Sequence, residues 1–325
     1  MRSDLISPER VASIDIGTNT ILLLIAEGEG GNLRVLEDRE AVVRLGEGLH
    51  RTGILSEEAM ERGLRALEQY LSRCEEMGVQ RTFAVGTSAL REAKNSEHFR
   101  QKVKEKFCLD IEVISGEEEA RLSFLAVAMD LSYPFQPLLV VDVGGGSTEI
   151  VLGRDGQVER WESLPIGIVR LTEKFLPSDP VKDPEYRAMV EEIDKQLQRV
   201  VAPEVPLTMV SIGGTGTALA SVEQGLESFQ IEKIHRFVMT REALQRQLSL
   251  YRSLNLGERR RLRGLPPARA DVILAGASIL HRTMERFGCP SFWVSAHGVR
   301  YGLLYKKMGI APFSSPSRPT VSGPG

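Results

Sequence analysis

The chain has 325 residues, a formal net charge of -3 at pH 7 and a pI near 6.1. At roughly 100–200 residues per domain, this length suggests two domains, and 42% hydrophobic with 26% charged residues is typical of a globular protein. The mild acidity excludes a protein that binds nucleic acid over its whole surface, and three scattered cysteines without a C-x-x-C pair argue against a disulfide framework or a zinc site.

The two ends of the chain carry no membrane signal. Residues 1–10 contain Asp4 and Glu9 and lack the apolar stretch of a signal peptide. Apolar runs stay shorter than the roughly 18 residues of a membrane helix. We therefore expect a cytoplasmic protein that binds neither membrane nor nucleic acid. Residues 312–325 are rich in Ser, Pro and Gly, which predicts a disordered tail.

The first part of the chain is predicted to alternate strands and helices. Ser56 is typical of a helix N-cap, and the apolar stripe behind it predicts a helix that stops at Gly78. Helices are also predicted from Asn95 or Ser96 to residue 107 and over residues 117–130. Short apolar runs predict strands over residues 11–15, 21–26, 34–44, 82–85 and 111–114.

A second block of elements follows the prolines at 134 and 137. Its predicted strands cover residues 138–141, 150–152, 158–161, 207–212 and 292–294. Its predicted helices cover residues 185–201, 241–254, 270–287 and 299–308. We divide the chain into an N-terminal domain over residues 8–124, a C-terminal domain over residues 125–311 and the tail over residues 312–325.

The two blocks begin alike. Residues 13–24, S-I-D-I-G-T-N-T-I-L-L-L, and residues 140–152, V-V-D-V-G-G-G-S-T-E-I-V-L, both show an apolar strand, an aspartate, a small polar loop and a second apolar strand. The two aspartates, Asp15 and Asp142, are 127 residues apart. This repetition predicts two similar halves, each opening with a β-hairpin that has a polar tip.

The loop at residues 142–149, D-V-G-G-G-S-T-E, carries the clearest chemical signal. Its three glycines allow positive φ and let backbone amides approach an anion, and the serine and threonine that follow add hydroxyl donors. Asp142 and Glu149 flank the loop with carboxylates, which suits Mg²⁺ held by one or two acids, phosphate oxygens and water. A solvated hairpin tip is the alternative, although such a tip rarely needs three glycines between two acids.

The loop at residues 15–20, D-I-G-T-N-T, is the weaker counterpart. Asp15 would face the same metal from the other half, while Thr18 and Asn19 would donate to phosphate. A capped turn is the alternative, since these are all turn residues. The pairing with the second loop favours the binding role.

A third glycine turn lies at residues 211–217, S-I-G-G-T-G-T. It is predicted to enter a helix, so that its amides and the positive helix end would face an anion. Close packing of helix on strand is the alternative explanation for these glycines.

Three acids and one arginine complete the candidate residues. Glu117, Glu118 and Glu119 begin a predicted helix, where they interact favourably with its dipole; alternatively, one of them orients or deprotonates an attacking water. The planar guanidinium of Arg91 suits phosphate, but a surface salt bridge explains it equally well.

Other patterns are less informative. The basic run at Arg259–Arg263 would steer a polyanion, although a solvated helix face is the favoured explanation. The five histidines share no metal-ligand spacing. The sequence also contains neither a P-loop nor a G-x-S-x-G nucleophile motif.

Taken together, these motifs resemble the exopolyphosphatase / guanosine pentaphosphate phosphohydrolase family. The motifs occur in the order D-I-G-T-N-T, G-T-S-A-L-R-E-A-K-N, S-G-E-E-E-A-R-L, D-V-G-G-G-S-T-E, G-G-T-G-T and R-A-D-V-I-L-A-G, and the resemblance covers about residues 11–308. That family belongs to the actin-like, sugar-kinase and heat-shock-chaperone ATPase superfold. The resemblance therefore implies an α/β fold of two ribonuclease-H-like domains with a cleft between them.

The resemblance also implies residue roles. Glu119 would be the catalytic carboxylate that activates water, and Asp142 and Glu149 would be the catalytic, magnesium-associated acids, with Asp15 facing the same ion. The residues expected to contact phosphate are Asp15, Gly17, Thr18, Asn19, Arg91, Gly144, Gly145, Gly146, Ser147, Thr148, Gly214 and Thr215.

The implied activity is Mg²⁺-dependent hydrolysis of the terminal phosphoanhydride of inorganic polyphosphate, with release of orthophosphate. The first alternative is removal of the 5′ γ-phosphate of guanosine pentaphosphate (pppGpp), the alarmone of the stringent response; polyphosphate is favoured because we identify no guanine pocket. A kinase or ATPase of the same superfold would use residues 213–217 at an adenosine site. A non-catalytic sensor is the last alternative, and the intact acids Glu119, Asp142 and Glu149 argue against it.

Longer members of the family carry a further C-terminal helical region, resembling HD-type phosphohydrolase domains, that helps to bind long chains and to dimerise. This chain ends soon after Met308. Processivity on long chains and the usual dimer are therefore not expected, while a homodimer of another kind stays open.

Overall fold

The computed structural model describes residues 9–29, 32–130, 137–203 and 205–310. The predicted tail at residues 312–325 and the proline at 134 lie outside the described residues.

The described chain alternates strands and short to medium helices. Its strands are β1 (Arg10–Ile16), β2 (Thr20–Glu29), β3 (Asn32–Val42), β4 (Arg81–Gly86), β5 (Ile111–Val113), β6 (Leu138–Val143), β7 (Thr148–Arg154), β8 (Gln157–Leu164), β9 (Thr208–Ile212), β10 (Val238–Thr240) and β11 (Ser291–Val294). Its helices are α1 (Leu49–Thr52), α2 (Glu57–Glu76), α3 (Ser88–Glu92), α4 (Ser96–Phe107), α5 (Gly116–Asp130), α6 (Ile168–Phe175), α7 (Asp183–Leu197), α8 (Gly213–Glu223), α9 (Ile231–Ile234), α10 (Arg241–Ser253), α11 (Leu256–Arg259), α12 (Ile273–Phe287) and α13 (Val299–Lys307), with a 3₁₀ turn at Pro267–Arg269.

The strands form two mixed sheets with matching topology. The first has the order β3-β2-β1-β4-β5 and the second the order β10-β11-β9-β6-β7-β8. In each sheet the first three strands form an antiparallel meander, and the next strand joins the other side of the opening strand in parallel. The α/β fold with two similar halves is therefore confirmed, and the repeated hairpins are its two opening strand pairs.

Helices cover both faces of each sheet. The outer face of the first sheet packs on α2 and α4, through residues such as Leu67 and Phe99. The outer face of the second sheet packs on helices that include α6, α7, α10 and α12. These apolar layers hold the strands in place, so that the loops at the strand ends have fixed positions.

Between the sheets lie α5 and α13. The apolar face of α5, with Phe124 and Val127, packs on the second sheet. Helix α13 comes from the end of the chain but packs on the first sheet, through Tyr301 and Leu304. The two helices touch closely, since a Cβ at Gly302 would lie 2.0 Å from the carbonyl oxygen of Leu122. The first turn of α5 is thereby held between the two halves.

Most predicted elements are present with shifts of a few residues at their ends. Ser56 caps α2 by accepting a hydrogen bond from the amide of Ala59 at 3.2 Å, and Gly78 follows that helix with φ of 65°. The predicted division between residues 124 and 125 lies within α5; this division stays a prediction. Among the described residues, no helix combines the length and apolarity needed to span a membrane.

Candidate active site

The tips of the two repeated hairpins face each other. Asp15 is the last residue but one of β1, and Asp142 is the last residue but one of β6. A Cβ at Gly145 would lie 2.7 Å from Cβ of Thr18 and 3.0 Å from the amide nitrogen of Asn19. Only glycine therefore fits where the second loop meets the first, and the two predicted phosphate loops are in contact.

This contact corrects one part of the sequence interpretation. The three glycines at 144–146 were expected to adopt positive φ, but they are absent from the described glycines with that conformation. Their small size serves close approach instead, since a Cβ at Gly146 would lie 2.5 Å from Oγ of Ser88. The difference matters because replacement by alanine would push the two halves apart without straining φ.

Among the three acids at the start of α5, the structure distinguishes Glu119. The side chain of Glu117 pairs with Arg121 at 2.7 Å, and that of Glu118 pairs with Lys306 at 2.5 Å, both at exposed positions. Glu119 is 7% exposed and points inward. Glu119 is thus the buried one of the three acids, and its catalytic role stays a prediction.

Arg91 holds the carboxylate of Glu119. Its Nη1 donates to Glu119 Oε2 at 2.5 Å and to the carbonyl oxygen of Ile114 at 3.1 Å. Arg91 lies on α3, which begins directly after β4, the strand beside β1. The predicted phosphate-binding arginine therefore lies beside the candidate base.

Serines fix the two acids of the second half. Ser123, one helical turn after Glu119 on α5, donates to Asp142 Oδ2 at 3.0 Å. Ser147 and Ser163 donate to Glu149 Oε1 at 2.9 and 2.8 Å. Ser163 reaches it because it pairs directly with Glu149 across β7 and β8.

Burial raises the pKa of each of the four buried acids, and repulsion from neighbouring acids adds to the shift in three of them. Burial, followed by repulsion from Glu119 and Asp142, raises the pKa of Asp15 to about 8. Burial raises the pKa of Glu119 to about 7, against the opposing charge of Arg91. It also raises the pKa of Asp142 to about 6, where the hydrogen bond from Ser123 acts in the other direction.

Glu149 follows the same pattern. Burial, followed by repulsion from Glu119 and Asp142, raises the pKa of Glu149 well above its usual value. Four carboxyl groups that repel one another in a buried space are costly to ionise together, so a cation between them would relieve the repulsion.

The donor set suits a hard divalent cation. Asp15 Oδ1 and Glu149 Oε2 are buried and make no hydrogen bond within the described structure. The acids do not converge as a closed cage, since no three of them bring ligand atoms within 4.8 Å of one another among the described residues. Mg²⁺ is typically held by one or two carboxylates together with substrate phosphates and water, so this open arrangement fits it.

The first loop supplies side-chain donors. Thr18 Oγ1 and both polar side-chain atoms of Asn19 are buried without a hydrogen-bond partner. The backbone of the loop is fixed, because the Asn19 carbonyl accepts from the amides of Val43 and Arg44 at 3.0 and 2.9 Å. Gly17 makes the turn itself, with its amide donating to the Thr20 carbonyl at 2.9 Å. Buried donors without partners need a ligand or water, which agrees with the predicted contact to phosphate.

The third glycine turn does enter a helix, as predicted. Gly213 has φ of 81°, and a Cβ there would lie 3.1 Å from Asp142 Oδ1. A Cβ at Gly214 would lie 1.9 Å from Nη2 of Arg269. The side chain of Thr215 packs against Gly276 of α12. Gly213 is thus the member of this turn nearest the acids, while the roles of Gly214 and Thr215 towards phosphate stay predictions.

Sequence reasoning did not single out several residues of the cleft. Ser88 Oγ donates to Glu92 Oε1 at 2.8 Å, and Glu92 forms an ion pair with Arg170 from the other half. Arg170 lies on α6, which was not predicted, and its Nε donates to the Gly146 carbonyl at 2.8 Å. Ser88 and Glu92 lie within the G-T-S-A-L-R-E motif, so the motif itself was the available signal for them.

One residue of the basic run departs from the expected solvated face, and two histidines form a cluster that the sequence did not indicate. Arg259, at the start of the basic run, is buried rather than part of a solvated face. His235 and His297 converge on Asp130, with His235 Nε2 at 3.1 Å and His297 Nδ1 at 3.9 Å. Because the amide of Ala296 donates to His235 Nδ1 at 3.2 Å, the proton of His235 lies on Nε2, facing Asp130. The cluster therefore reads as a hydrogen-bonded anchor at the far end of α5 and not as a set of free metal ligands.

Comparison with known proteins matches nearly the whole chain. A model of the Ppx/GppA phosphatase family matches residues 24–310. Exopolyphosphatase 2 of Mycobacterium tuberculosis is 36% identical over 320 residues, which cover 92% of this chain and 99% of that protein. A crystal structure of the Aquifex aeolicus family member is 38% identical, with a TM-score of 0.79, and the match covers 92% of this chain and 97% of that one.

Two other relatives are longer than this chain. The bifunctional 3-dehydroquinate synthase/phosphatase of Fusobacterium nucleatum is 34% identical over 290 residues, covering 85% of this chain and 43% of that protein. The guanosine-5'-triphosphate,3'-diphosphate pyrophosphatase of Photobacterium profundum is 32% identical over 303 residues, covering 91% of this chain and 59% of that protein. The chain thus spans about half the length of these two relatives.

Proposed function

The chain belongs to the Ppx/GppA phosphatase family, and we propose that it hydrolyses the terminal phosphoanhydride of inorganic polyphosphate and releases orthophosphate. The observation that carries this proposal is the position of Glu119. It is a buried carboxylate, held by Arg91, that faces the acids Asp15, Asp142 and Glu149 at the meeting point of two donor-rich loops. Phosphoryl transfer to water needs these parts: a group that orients the water, donors for the phosphoryl oxygens, and a cation site.

Both loops contribute donors to the terminal phosphate. The glycine loop at residues 145 and 146 and the unpartnered donors of Thr18 and Asn19 come together from opposite halves. Preorganised donors of this kind stabilise the charge that develops on the transferred group, because they need no rearrangement during the reaction. The loops thus bind and orient the phosphate.

Glu119 acts as the general base. A pKa of about 7 lets this carboxylate accept a proton near neutral pH. Arg91 keeps the carboxylate oriented through the 2.5 Å contact to Oε2. The proton of the attacking water passes to Glu119 as its oxygen bonds to the terminal phosphorus, and the shortened chain leaves with the bridging oxygen.

Mg²⁺ is the proposed cofactor: Asp142, Glu149 and Asp15 would hold it, and when bound it would offset the negative charge of the phosphates. The serines that hold Asp142 and Glu149 fix the direction of their free oxygens. The repulsion among the acids also falls when a cation binds, which favours metal binding above their raised pKa values.

We propose that the two loops separate to admit the substrate. Beside the loop contact lies a cavity of about 10 Å³, lined by residues that include Thr18, Ser88, Gly146 and Arg170. This volume is about that of one water position. A phosphate group therefore requires the two halves to move apart at the hairpin tips and to close again around it.

The second candidate substrate is pppGpp, whose terminal phosphoanhydride is broken by the same chemistry. The relative from Photobacterium profundum, named for that substrate, favours this alternative; it would give the protein a role in the stringent response. We further propose a cytoplasmic location, in line with three free cysteines, Cys74, Cys108 and Cys289. A homodimer, and the absence of nucleic-acid and membrane partners, stay predictions.

The test is orthophosphate release from short polyphosphate, pppGpp and ATP in parallel, each with Mg²⁺ and with EDTA. We expect Mg²⁺-dependent release that is fastest from polyphosphate and slow from ATP. Preference for pppGpp would keep the mechanism and change the substrate. Absence of release from all three would contradict hydrolysis and favour a kinase or a sensor.

A further inference from the structure

An ion pair joins the two halves at the mouth of the cleft. Glu92, the last residue of α3, pairs with Nη2 of Arg170 on α6. The two side chains are 39% and 23% exposed, so solvent reaches the pair from one side. Their neighbours point inward, since Arg91 holds Glu119 and Ser88 lies against Gly146. Glu92 thus follows Arg91, which holds the candidate catalytic carboxylate, along the same short helix.

The guanidinium of Arg170 is also attached to the second phosphate loop. Its Nε donates to the Gly146 carbonyl at 2.8 Å. The carboxylate of Glu92 is held from the other half by Ser88, whose Oγ donates to Oε1 at 2.8 Å. Both partners border the 10 Å³ cavity beside Thr18 and Gly146. When the hairpin tips separate to admit a phosphate, Arg170 moves with the second loop and Glu92 moves with the first.

Carboxylate and phosphate are both anionic acceptors that suit the planar fork of an arginine. In this structure, the carboxylate of Glu92 pairs with Nη2 of Arg170. This cavity adjoins the contact between the two loops, where the terminal phosphate is proposed to bind, so the next phosphate of the chain would lie towards the residues that border it. The chain and Glu92 therefore compete for one guanidinium.

We propose that Arg170 binds the phosphate adjacent to the terminal one, and that Glu92 is its internal competitor in the closed protein. The inference rests on the proposed function for the direction in which the substrate lies. It applies equally to polyphosphate and to pppGpp, because both carry a phosphate at that place. Arg170 is then a substrate-binding residue and Glu92 a residue that sets the apparent affinity.

A purely structural role makes a different prediction. Arg170→Gln and Glu92→Gln break the same ion pair, so a role limited to holding the halves together predicts effects in the same direction. Competition predicts opposite directions: loss of Arg170 removes a charge-assisted contact to the substrate, whereas loss of the Glu92 charge frees the guanidinium. The direction in which each variant changes the binding affinity therefore distinguishes the two roles.

The experiment measures binding without turnover. Bis-methylene triphosphate, whose bridging oxygens are replaced by CH₂, is titrated calorimetrically into the full chain with Mg²⁺ present. We expect Arg170→Gln to weaken binding about tenfold, Arg170→Lys to weaken it less, and Glu92→Gln to tighten it about threefold, a smaller change because the pair is partly solvated. Arg154→Gln and Glu159→Gln, which break an exposed pair at 3.4 Å in the same half as Arg170, are matched controls expected to bind like the unmodified protein.

Two results would overturn the inference: changes of the same sign in Arg170→Gln and Glu92→Gln, or affinities equal to those of the controls. This outcome is separate from the proposed function. Opposite signs in a protein that releases no orthophosphate would keep the inference and contradict the hydrolase. If the unmodified protein releases orthophosphate but both variants change the binding affinity in the same direction, the hydrolase proposal stands and the inference about Arg170 and Glu92 fails.

Discussion

The two opening hairpins share a topology but not a chemistry. In the first, Asp15 pairs across the strands with Leu22; in the second, Asp142 pairs with Glu149. The same strand register thus places one acid beside the first loop and two beside the second. A duplicated backbone gives two loops that face each other, and the residues at equivalent positions decide which half provides the proposed metal site.

The loops also differ in the kind of donor they offer. The first presents buried side-chain groups of Thr18 and Asn19 without partners, and the second presents a backbone made accessible by three glycines. The element that follows the parallel strand differs too: α3 carries Arg91 to the candidate base, while α8 opens with Gly213 beside Asp142. Under the proposed function, the first half would supply the arginine that holds the base together with side-chain donors for phosphate, and the second half would supply backbone amides and two of the acids for the cation.

The largest expected effect tests the water-activating side. Glu119→Gln removes the proton acceptor but keeps the size of the side chain, so we expect kcat to fall about 10²–10⁴-fold, with KM changed about twofold or less. Steady-state orthophosphate release measures both. Glu117→Gln is the control. Glu117 lies in the same turn of α5, but its side chain is partly exposed and pairs with Arg121, so this variant should keep the rate. Full activity of Glu119→Gln would refute its assignment as the base.

The next effect compares the glycines of the two loops. A Cβ at Gly145 would lie 2.7 Å from Cβ of Thr18, whereas a Cβ at Gly17 would meet the Thr20 carbonyl at 3.1 Å within its own loop. Gly145→Ala therefore forces the two halves apart, and we expect kcat to fall roughly tenfold or more, since misplacement by about 1 Å can cost about 100-fold. Gly17→Ala should lose less. Equal losses in both variants would mean that the contact between the loops is unimportant.

The third prediction concerns pH and the metal-free protein. Folding raises the pKa of Asp142 to about 6 and that of Asp15 to about 8, both from a usual value of 3.8. Between the usual pKa and the raised pKa of each group, the folded state binds more protons than the unfolded state, so the free energy of unfolding falls as pH rises. In EDTA, we expect Tm to fall from pH 4 to pH 8, and Asp15→Asn to raise Tm by a few degrees at pH 8 and not at pH 4.

The same experiment distinguishes the contribution of Asp15, in the first half, from that of Asp142, in the second half. Asp142→Asn should flatten the decline mainly below pH 6, and Asp15→Asn should flatten it up to pH 8. Adding Mg²⁺ to the unmodified protein should flatten it as well, because a bound cation offsets the repulsion. A Tm that is constant over this range in EDTA would contradict the raised pKa values.

The smallest expected effect concerns Ser163, which supports an acid at the end of the second loop. Ser163 donates to Glu149 at 2.8 Å from the opposite strand. Ser163→Ala removes a residue that orients a proposed metal ligand, so we expect the Mg²⁺ concentration for half-maximal activity to rise severalfold, to about tenfold at most, with kcat at saturating Mg²⁺ nearly unchanged. A fall in kcat that Mg²⁺ does not restore would give Ser163 a different role.

The sequence predicted the features that are contiguous in the chain. The two hairpins, the glycine loops and Glu119 each lie within a short motif, so their residue types and spacing carry the signal. Ser163 became visible only through strand pairing, and Arg170 only through the packing of a helix that periodicity missed. His235 and His297 lie 62 residues apart and meet only because β10 and β11 are neighbours.

The one conformational error has a physical cause as well. Three glycines in a row suggested positive φ, yet two of them, Gly145 and Gly146, are needed because Thr18, Asn19 and Ser88 approach from the other half of the protein. Local sequence cannot show such a contact, since it depends on how the two sheets are placed by α5 and α13. The topology of a repeated fold could be predicted here, while the fit between its halves required the structure.

The most direct test of the central claim is hydrolysis of short polyphosphate in ¹⁸O-labelled water, with the released orthophosphate analysed by mass spectrometry. Attack of water on the terminal phosphorus predicts one ¹⁸O in each released orthophosphate and none in the remaining chain. Label in the remaining chain, or transfer of the terminal phosphate to another acceptor, would contradict the account of these two loops and Glu119 as a site for terminal phosphoanhydride hydrolysis.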